Sequence, residues 1–464
     1  MSRVSNPNEA HLAMASRWDL INDLLGGTLA MRGANTKWLP REEGESQRSY
    51  DSRLNRSFLY GAFADTIQKL SAKPFSKGIV VEEGLPDALA DIVNDADLNG
   101  RDLSTFARQT FEDAVTYGLA HILVDYPAVD AGLNLAEERA SGVRPYFVAI
   151  KPTDMLAWQT SKEANGREKV TQIRFRENRT KFDGFEEKQE EIIRVIDEQG
   201  WQVWAKQDNE WALESEGTHT FGAVPLLTLY TNRKGFMVAN PPLEDLAWLN
   251  LAHWQSLSDQ RNILRFARMA ILFGSGFSNE EIENGVVIGA SSLTASTNPD
   301  ARLQYVEHSG KAIGTGEADL QKIEERMEVL GLQPLVASTG NATATARAMD
   351  EAKTHSNIQS WITALEDVLE KAYAMAGDWI GATLADDFTV SVFKDFGVTL
   401  SADMDIKSLT AMKQAGMISH RTFLQEVKRR GLLDDAVNID EEIELAQDEA
   451  GGMTNSLPTS DDDD

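Results

Sequence analysis

An α+β fold is predicted, and three observations predict it. Between Arg144 and Tyr230 the segments YFVAI, VTQIRFRE, EIIRVIDE, GWQVWAK and VPLLTLY alternate or carry β-branched residues, separated by Asn-, Gly- and Glu-rich turns. That is the pattern of a sheet. On both sides of this region apolar residues recur at helical spacing. Directly after it, Pro241 to Gly276 (PPLEDLAWLNLAHWQSLSDQRNILRFARMAILFGSG) opens on a Pro-Pro start signal and meets no further Gly or Pro until Gly274. At about 1.5 Å per residue this segment reads as a rod of roughly 50 Å.

The elements follow in order. Residues 8–38 read as helical, with Leu12, Ala15, Trp18, Ile21, Leu24 and Leu25 on one face before Gly26 and Gly27. SYDSRLNRSFLYGAFADTIQKLSA predicts a second helix that stops before Pro74. DLSTFARQTFEDAVTYGLAHILVDYP predicts a helix starting near Asp102 and turning into a strand, His121 to Asp125. The sheet region comes next, and then the rod. Along the rod Leu243, Leu246, Asn250, Trp254 and Leu257 form a mostly apolar stripe. Arg261, Arg265 and Arg268, at i, i+4 and i+7, share another face.

From Gly274 to Gly316 the chain reads as short strands and turns, including GVVIGASS and ARLQYVEHSG. ADLQKIEERMEVLG is a shorter helix ending at Gly331. LQPLVASTGNATATARA is small, polar and poor in bulky anchors, so it is expected to be a mobile loop. Ala344 to Ile380 is helical again, burying Trp361, Leu365, Val368, Leu369 and Tyr373. DFTVSVFKDF is a strand. Two helices follow around Gly416, the second capped by Ser419, and GGMTNSLPTSDDDD reads as a disordered tail.

The charge balance narrows the function classes. Against 45 Lys plus Arg stand 73 Asp plus Glu, a net charge of −28, so the average surface repels nucleic acid and anionic membranes. Gly431 to Asp464 holds twelve acidic residues and no Lys or Arg. The absence of cysteine excludes disulfides, thiol catalysis and Cys-ligated zinc or iron–sulfur centres. The N-terminus lacks an apolar signal region, and no run of about 20 apolar residues predicts a membrane span. A soluble protein made in a reducing cytoplasm is expected, with no membrane partner.

Chemical motifs fail at their decisive positions. Asp95, Asp97, Asn99 and Gly100 match the first half of a calcium loop, but Phe106 stands where the bidentate Glu belongs. A polar turn is the simpler reading. Ser309 to Gly314 (SGKAIG) lacks the first glycine and the Ser or Thr of a phosphate loop. The seven histidines form no metal-binding spacing, and no nucleophile elbow or dinucleotide fingerprint occurs. Leu409 to Gly431 has the look of a DNA-reading helix pair, but the acidic stretch after it opposes that role. For Arg261, Arg265 and Arg268 the bland reading is a solvated face or inter-subunit salt bridges; contact with a polyanion is the functional one.

Several pieces in fixed order carry a family resemblance: WLPREEGESQRSYDSRL, DLNGRDLSTFARQTFEDAVTYGLAHILVDYP, RPYFVAIKPTDMLAW, the PPLEDLAWLN helix opening, YVEHSGKAIG and QAGMISHRTFLQEV. From about Trp38 to Glu449 the chain resembles a tailed-bacteriophage portal protein. The resemblance implies a portal-type elongated subunit, with long stem helices, a β-rich wing, a small α/β clip and a helical crown. It implies a wing over 1–240, a first stem helix over 241–273, a clip over 274–316, a second stem helix over 317–331 and a tunnel loop over 332–346. A long wing helix and strand would occupy 347–400, and a crown with the acidic tail 401–464.

The implied assembly is a ring, usually of twelve copies, at one capsid vertex of the virion, through which double-stranded DNA enters and leaves. Phe277, Val287, Ile288, Leu293 and Tyr305 would lie in the clip that docks the terminase large subunit and then the head–tail adaptor. Val336, Ser338, Thr339, Asn341, Thr343 and Arg347 would lie at or beside the DNA-proximal loop. Arg261, Arg265 and Arg268 would pair subunits or touch DNA. The major capsid and scaffolding proteins are further expected partners, and no cofactor, metal or catalysis is implied; ATP hydrolysis belongs to the terminase. Two alternatives stay open: another phage head or adaptor protein, and a metal-dependent hydrolase using carboxylates such as Asp95, Asp97 or Asp125.

Overall fold

The computed structural model describes residues 4–81, 85–127, 143–268, 271–280, 296, 298–306, 311–331, 344–385, 388–394, 409–429, 433, 439, 441–443 and 445. The fold is α+β, in two compact units, 1–395 and 396–464.

The first unit opens with α1 (Glu9–Leu25), whose N-cap Asn8 accepts the His11 amide through its side chain. Its buried face is His11, Met14, Trp18, Ile21 and Leu24, a helical series. Leu12 and Leu25, expected on that face, are exposed. The Trp18 indole donates to the Tyr117 carbonyl at 3.2 Å, which satisfies its polar edge inside the core. After Gly26 comes α2 (Gly27–Gly33). The single helix expected next is two: α3 (Gln47–Leu54), capped by Ser46, and α4 (Ala62–Ala72). The connector between them is tied to a distant helix, as described below, and that tie outweighs local helix propensity.

After β1 (Val80–Val81) and α5 (Asp87–Ala90), helix α6 (Leu103–Tyr117) is capped by Asp102, which accepts the Thr105 amide at 2.9 Å. It ends at Gly118, which has a left-handed φ of 94° and lets β2 (Leu119–Asp125) start immediately. Strand β2 is central in the order β3-β2-β9, with β3 at Tyr146–Ile150 and β9 at Leu226–Tyr230. Strands β4 (Met155–Lys162), β5 (Glu168–Asp183), β6 (Glu186–Asp197), β7 (Gly200–Gln207) and β8 (Glu210–Thr218) form an antiparallel meander in sequence order. Strands β4 and β8 are not among the segments the sequence predicts, because most of their residues are polar or exposed and hide the alternation. Strands β5 and β6 run past the expected VTQIRFRE and EIIRVIDE into a polar, exposed hairpin. Leu123, Ile150, Met155, Ile173, Phe175, Ile196 and Val224 form one apolar cluster joining the two sheets.

The short strands β10 (Arg233–Gly235) and β11 (Val238–Ala239) lead into α7 (Glu244–Ala267). This helix is shorter than the expected rod. At 24 residues it is about 36 Å long. The apolar run that follows is β12 (Ile271–Ser275), paired antiparallel with β13 (Arg302–Val306). Helix α8 (Lys311–Leu330) starts six residues before the expected 317, absorbing the predicted turn at Lys311 to Gly314. It packs antiparallel on α7: Gln260 Nε2 donates to the Ile313 carbonyl (2.9 Å), Ser256 Oγ to Asp319 (3.3 Å), and His253 Nε2 lies 3.0 Å from Glu324. Numbers rise along one helix as they fall along the other.

Helix α9 spans the predicted Ala344–Ile380, with Leu365, Leu369 and Tyr373 fully buried. Tyr373 meets Phe147 of β3 edge-on at 5.6 Å, which seats α9 on the three-stranded sheet. Strand β14 (Val390–Ser391) pairs with β1. In the second unit a helix over 409–414 and α10 (His420–Arg429) flank Gly416, and Ser419 Oγ accepts the Thr422 amide at 3.1 Å, as the sequence predicts. Among the described residues no helix is long and apolar enough to cross a membrane.

Candidate functional site

The feature with most chemical content is built on the C-terminal half of α7. Acidic Glu244 and Asp245 in its first turn and Arg265 in its last suit the helix dipole. Leu246 and Trp254 are fully buried, while Arg261, Arg265 and Arg268 are exposed further along. The α3–α4 connector crosses the helix and is fastened at three points. Asn250 accepts the Phe63 amide (3.0 Å) and donates to the Tyr60 carbonyl (2.8 Å). The Ser57 and Ser258 hydroxyls meet at 2.9 Å, and the Arg261 guanidinium lies 4.8 Å over the Phe58 ring.

This crossing carries Arg53 and Arg56 to the α7 stripe. Together with Arg32 from α2 they line a cavity of about 720 Å³ with Arg261, Arg265 and Arg268. Asn55, Asn262, Ser57 and Ser258 contribute neutral polar groups, and no carboxylate is in the described lining. The six guanidinium groups are not equivalent. Arg53 is buried and forked onto Glu45 (3.0 and 2.8 Å), with the Pro40 carbonyl at 2.8 Å. The Arg53 hydrogen bond holds the Glu45 carboxyl below its usual range, and Glu45 in turn raises Arg53. That pair is structural.

Arg32 points two nitrogens at the Ser57 carbonyl, at 2.9 and 2.7 Å. It fixes the connector without neutralising its own charge. Arg56 donates to the Ser52 carbonyl at 2.6 Å. Its pKa is lowered, by burial first and then by the like charges of Arg265 and Arg261. Among the described residues none of Arg32, Arg56, Arg261, Arg265 and Arg268 pairs with a carboxylate. In a chain of net charge −28, five convergent cations repel one another unless an anion arrives. Chemically the cavity can hold anionic groups through the planar forks of arginine.

The sequence-predicted residues divide sharply. The structure brings Arg261, Arg265 and Arg268 together on one cavity wall. Phe277 is half-buried just after β12, and Tyr305 is 59% exposed on β13. Val287, Ile288 and Leu293 lie outside the described residues, as do Val336, Ser338, Thr339, Asn341 and Thr343. Arg347 falls in the first turn of α9 rather than ahead of it, since that helix begins at Ala344. Arg32, Arg53 and Arg56 were missed because nothing local in their segments links them to a helix about two hundred residues further on.

The carboxylates weighed for metal chemistry are engaged elsewhere. Asp97 is buried, 2.6 Å from Arg101 Nε, and also accepts the Asn99 amide. Asp95 caps the Gly100 amide and faces Arg144 at 3.5 Å. Arginine cations and backbone amides thus occupy the calcium-like turn. Asp125 is paired with Arg194 at 2.8 Å and accepts the Tyr146 hydroxyl at 3.0 Å. Around it lies a second cavity, about 530 Å³, whose wall includes Trp201, His219 and Trp379.

No curated protein sequence matches the chain. A family described as "Domain of unknown function (DUF4055)" matches residues 242–380, from the start of α7 to the end of α9. Among solved structures the chain is similar to a protein in the neck of an empty GTA particle computed with C6 symmetry, at 11% identity and TM-score 0.45, covering 78% of this chain and 88% of that one. It is also similar to one in the neck of a native GTA particle computed with C12 symmetry, at 10% identity and TM-score 0.44, over 78% and 88% of the two chains. A third similarity is to a chain in the virion of the native gene transfer agent particle, at 10% identity and TM-score 0.43, over 84% and 96%.

Proposed function

We propose that this chain is a phage portal protein: one stave of a ring, of twelve copies by the resemblance, that passes double-stranded DNA through a capsid vertex of a virion. The observation that carries the reading is the α7–ribbon–α8 unit. A long helix runs out, a two-stranded ribbon turns at its end, and a second helix returns antiparallel against the first. This arrangement matches the stem–clip–stem order that the sequence resemblance implies. A closed channel needs rigid staves that pack laterally, and two helices packed side by side are stiffer than one.

The ribbon supports the reading through its exposure. Phe273, Leu303, Tyr305 and Val306 are all partly exposed apolar side chains, and an isolated two-stranded ribbon is only marginally stable in water. Partner chains, in this reading neighbouring copies and then the terminase large subunit and head–tail adaptor, would cover it. The acidic surface suits a conduit along which DNA must slide. In this reading the chain itself performs no catalysis and needs no cofactor.

The test is assembly. Light scattering of the purified full-length chain is expected to give a particle many times 51.3 kDa, and negative-stain images down its axis are expected to show a central hole. A chain that stays monomeric at high concentration, or assembles without a hole, overturns the portal reading.

A further inference from the structure

The portal resemblance leaves Arg261, Arg265 and Arg268 between subunit pairing and DNA contact. It says nothing of the cavity they share with Arg32 and Arg56, whose composition is specific enough to name what it takes. Arg32, Arg56, Arg261, Arg265 and Arg268 converge without a described carboxylate partner, so the site is complete only with an anion. Two of the cations are held in place by rings, Arg261 over Phe58 at 4.8 Å and Arg265 over Phe266 at 5.7 Å. A third, Arg32, is fixed on the Ser57 carbonyl. Oriented guanidinium groups lose less freedom on binding than free ones.

A carboxylate has only two oxygens and one charge, and five guanidinium groups exceed what it can satisfy. Phosphate groups carry more acceptor oxygens and fit the arginine fork. Along α7 the three arginines rise through about 10 Å, while one DNA strand carries a charge about every 3.4 Å of axis. The stripe is therefore long enough to face more than one phosphate of a strand. The volume of about 720 Å³ lies within the ordinary range of ligand cavities, about 300–1,000 Å³.

We propose that this cavity is a phosphate-binding site, in which Arg56, Arg261, Arg265 and Arg268 clamp phosphate groups of a nucleic-acid backbone against the α7 face. The inference rests on the channel reading for why such a backbone is at hand, but not for the chemistry of the site. Arg53 is left out, since its fork is spent on Glu45.

The test compares the full-length wild type with an Arg56→Gln/Arg261→Gln/Arg265→Gln variant. All three positions are exposed, so the fold should persist, and circular dichroism checks it. Binding of a labelled 20-base-pair duplex is followed by anisotropy across a salt series. The variant is expected to bind at least tenfold more weakly, with a log–log salt slope shallower by about two to three. Arg167→Gln, an exposed arginine in the β4–β5 turn, is expected to bind as wild type. An Arg261→Lys/Arg265→Lys variant should be intermediate, since the charge stays and the fork goes.

Inorganic tripolyphosphate separates the sources of phosphate. If it raises the melting temperature of the wild type but not of the triple variant, while duplex binding is equal in both, the site takes small polyphosphates rather than a backbone. If the triple variant keeps both affinities, the proposal falls. It also falls if that variant loses only its self-assembly and still binds duplex normally, because the cluster is then a docking face for an acidic patch of a second copy. A wild type that never forms rings but whose duplex binding needs these arginines would leave the site standing and remove the portal reading.

Discussion

His121 shows how a single side chain can set a pH response. It lies on β2, the middle strand of its sheet, only 2% exposed, with Nδ1 3.0 Å from the Thr228 hydroxyl. Burial alone pushes its pKa from 6.5 down to about 3. The folded chain therefore keeps it neutral at a pH where the unfolded chain has already taken up a proton. Its contribution to stability is full above pH 6.5 and is lost as pH falls from there towards 3, by up to about 1.4 kcal/mol per unit. Urea midpoints measured at pH 7, 5.5 and 4.5 are expected to fall, and His121→Gln should flatten that dependence. A pH profile unchanged by the substitution would mean that other groups dominate. Asn250 teaches a different residue-scale lesson. Its place in the apolar stripe of the rod is visible in the sequence, but its reason is not. The amide closes two backbone hydrogen bonds of a connector about 190 residues away, and a buried polar group is kept where it satisfies others.

At the scale of elements, the legible parts are those whose signals are local. The cap Asp102, the buried series of α9 and the Ser419 cap all act within a turn or two of the residues they order. Gly118 is such a signal with a sharp consequence. Its φ of 94° ends α6, its carbonyl accepts the Thr231 amide at 3.0 Å, and an added Cβ would run into the Asn240 carbonyl. Gly118→Ala is expected to lower the melting temperature by several degrees, through left-handed strain of about 1–2 kcal/mol and the backbone clash. Gly33→Ala, where a Cβ meets nothing, should leave it unchanged or higher. The misread elements failed where two distant segments compete with local propensity. Residues 268–276 continue a helical composition, yet ILFGS pairs with RLQYV. SYDSRLNRSFLYGAF reads as one helix, yet Ser57 and Tyr60 are pinned to α7 and the chain must leave the helix to reach it.

At the scale of the whole molecule, the core belongs to the first unit. The buried apolar residues of both sheets, of α1 and of α9 all lie before residue 395. Residues 1–395 alone are therefore expected to fold and to melt cooperatively within a few degrees of the full chain, followed by circular dichroism. Loss of cooperativity in the truncated chain would show that the second unit is part of the same folding unit. The sequence by itself determined the α+β class, the three middle strands β5, β6 and β7 of the meander, the bounds of α9, the acidic balance and the absence of thiol chemistry. Each of these is written in composition or in periodicities of two and 3.6 residues. Only the tertiary structure decided where the rod ends and that Arg32, Arg53 and Arg56 meet Arg261, Arg265 and Arg268. The physical reason is range. Helix and strand signals act between near neighbours, whereas that cavity exists because a connector fastened by Asn250 and Ser258 carries one group of arginines across the chain to another.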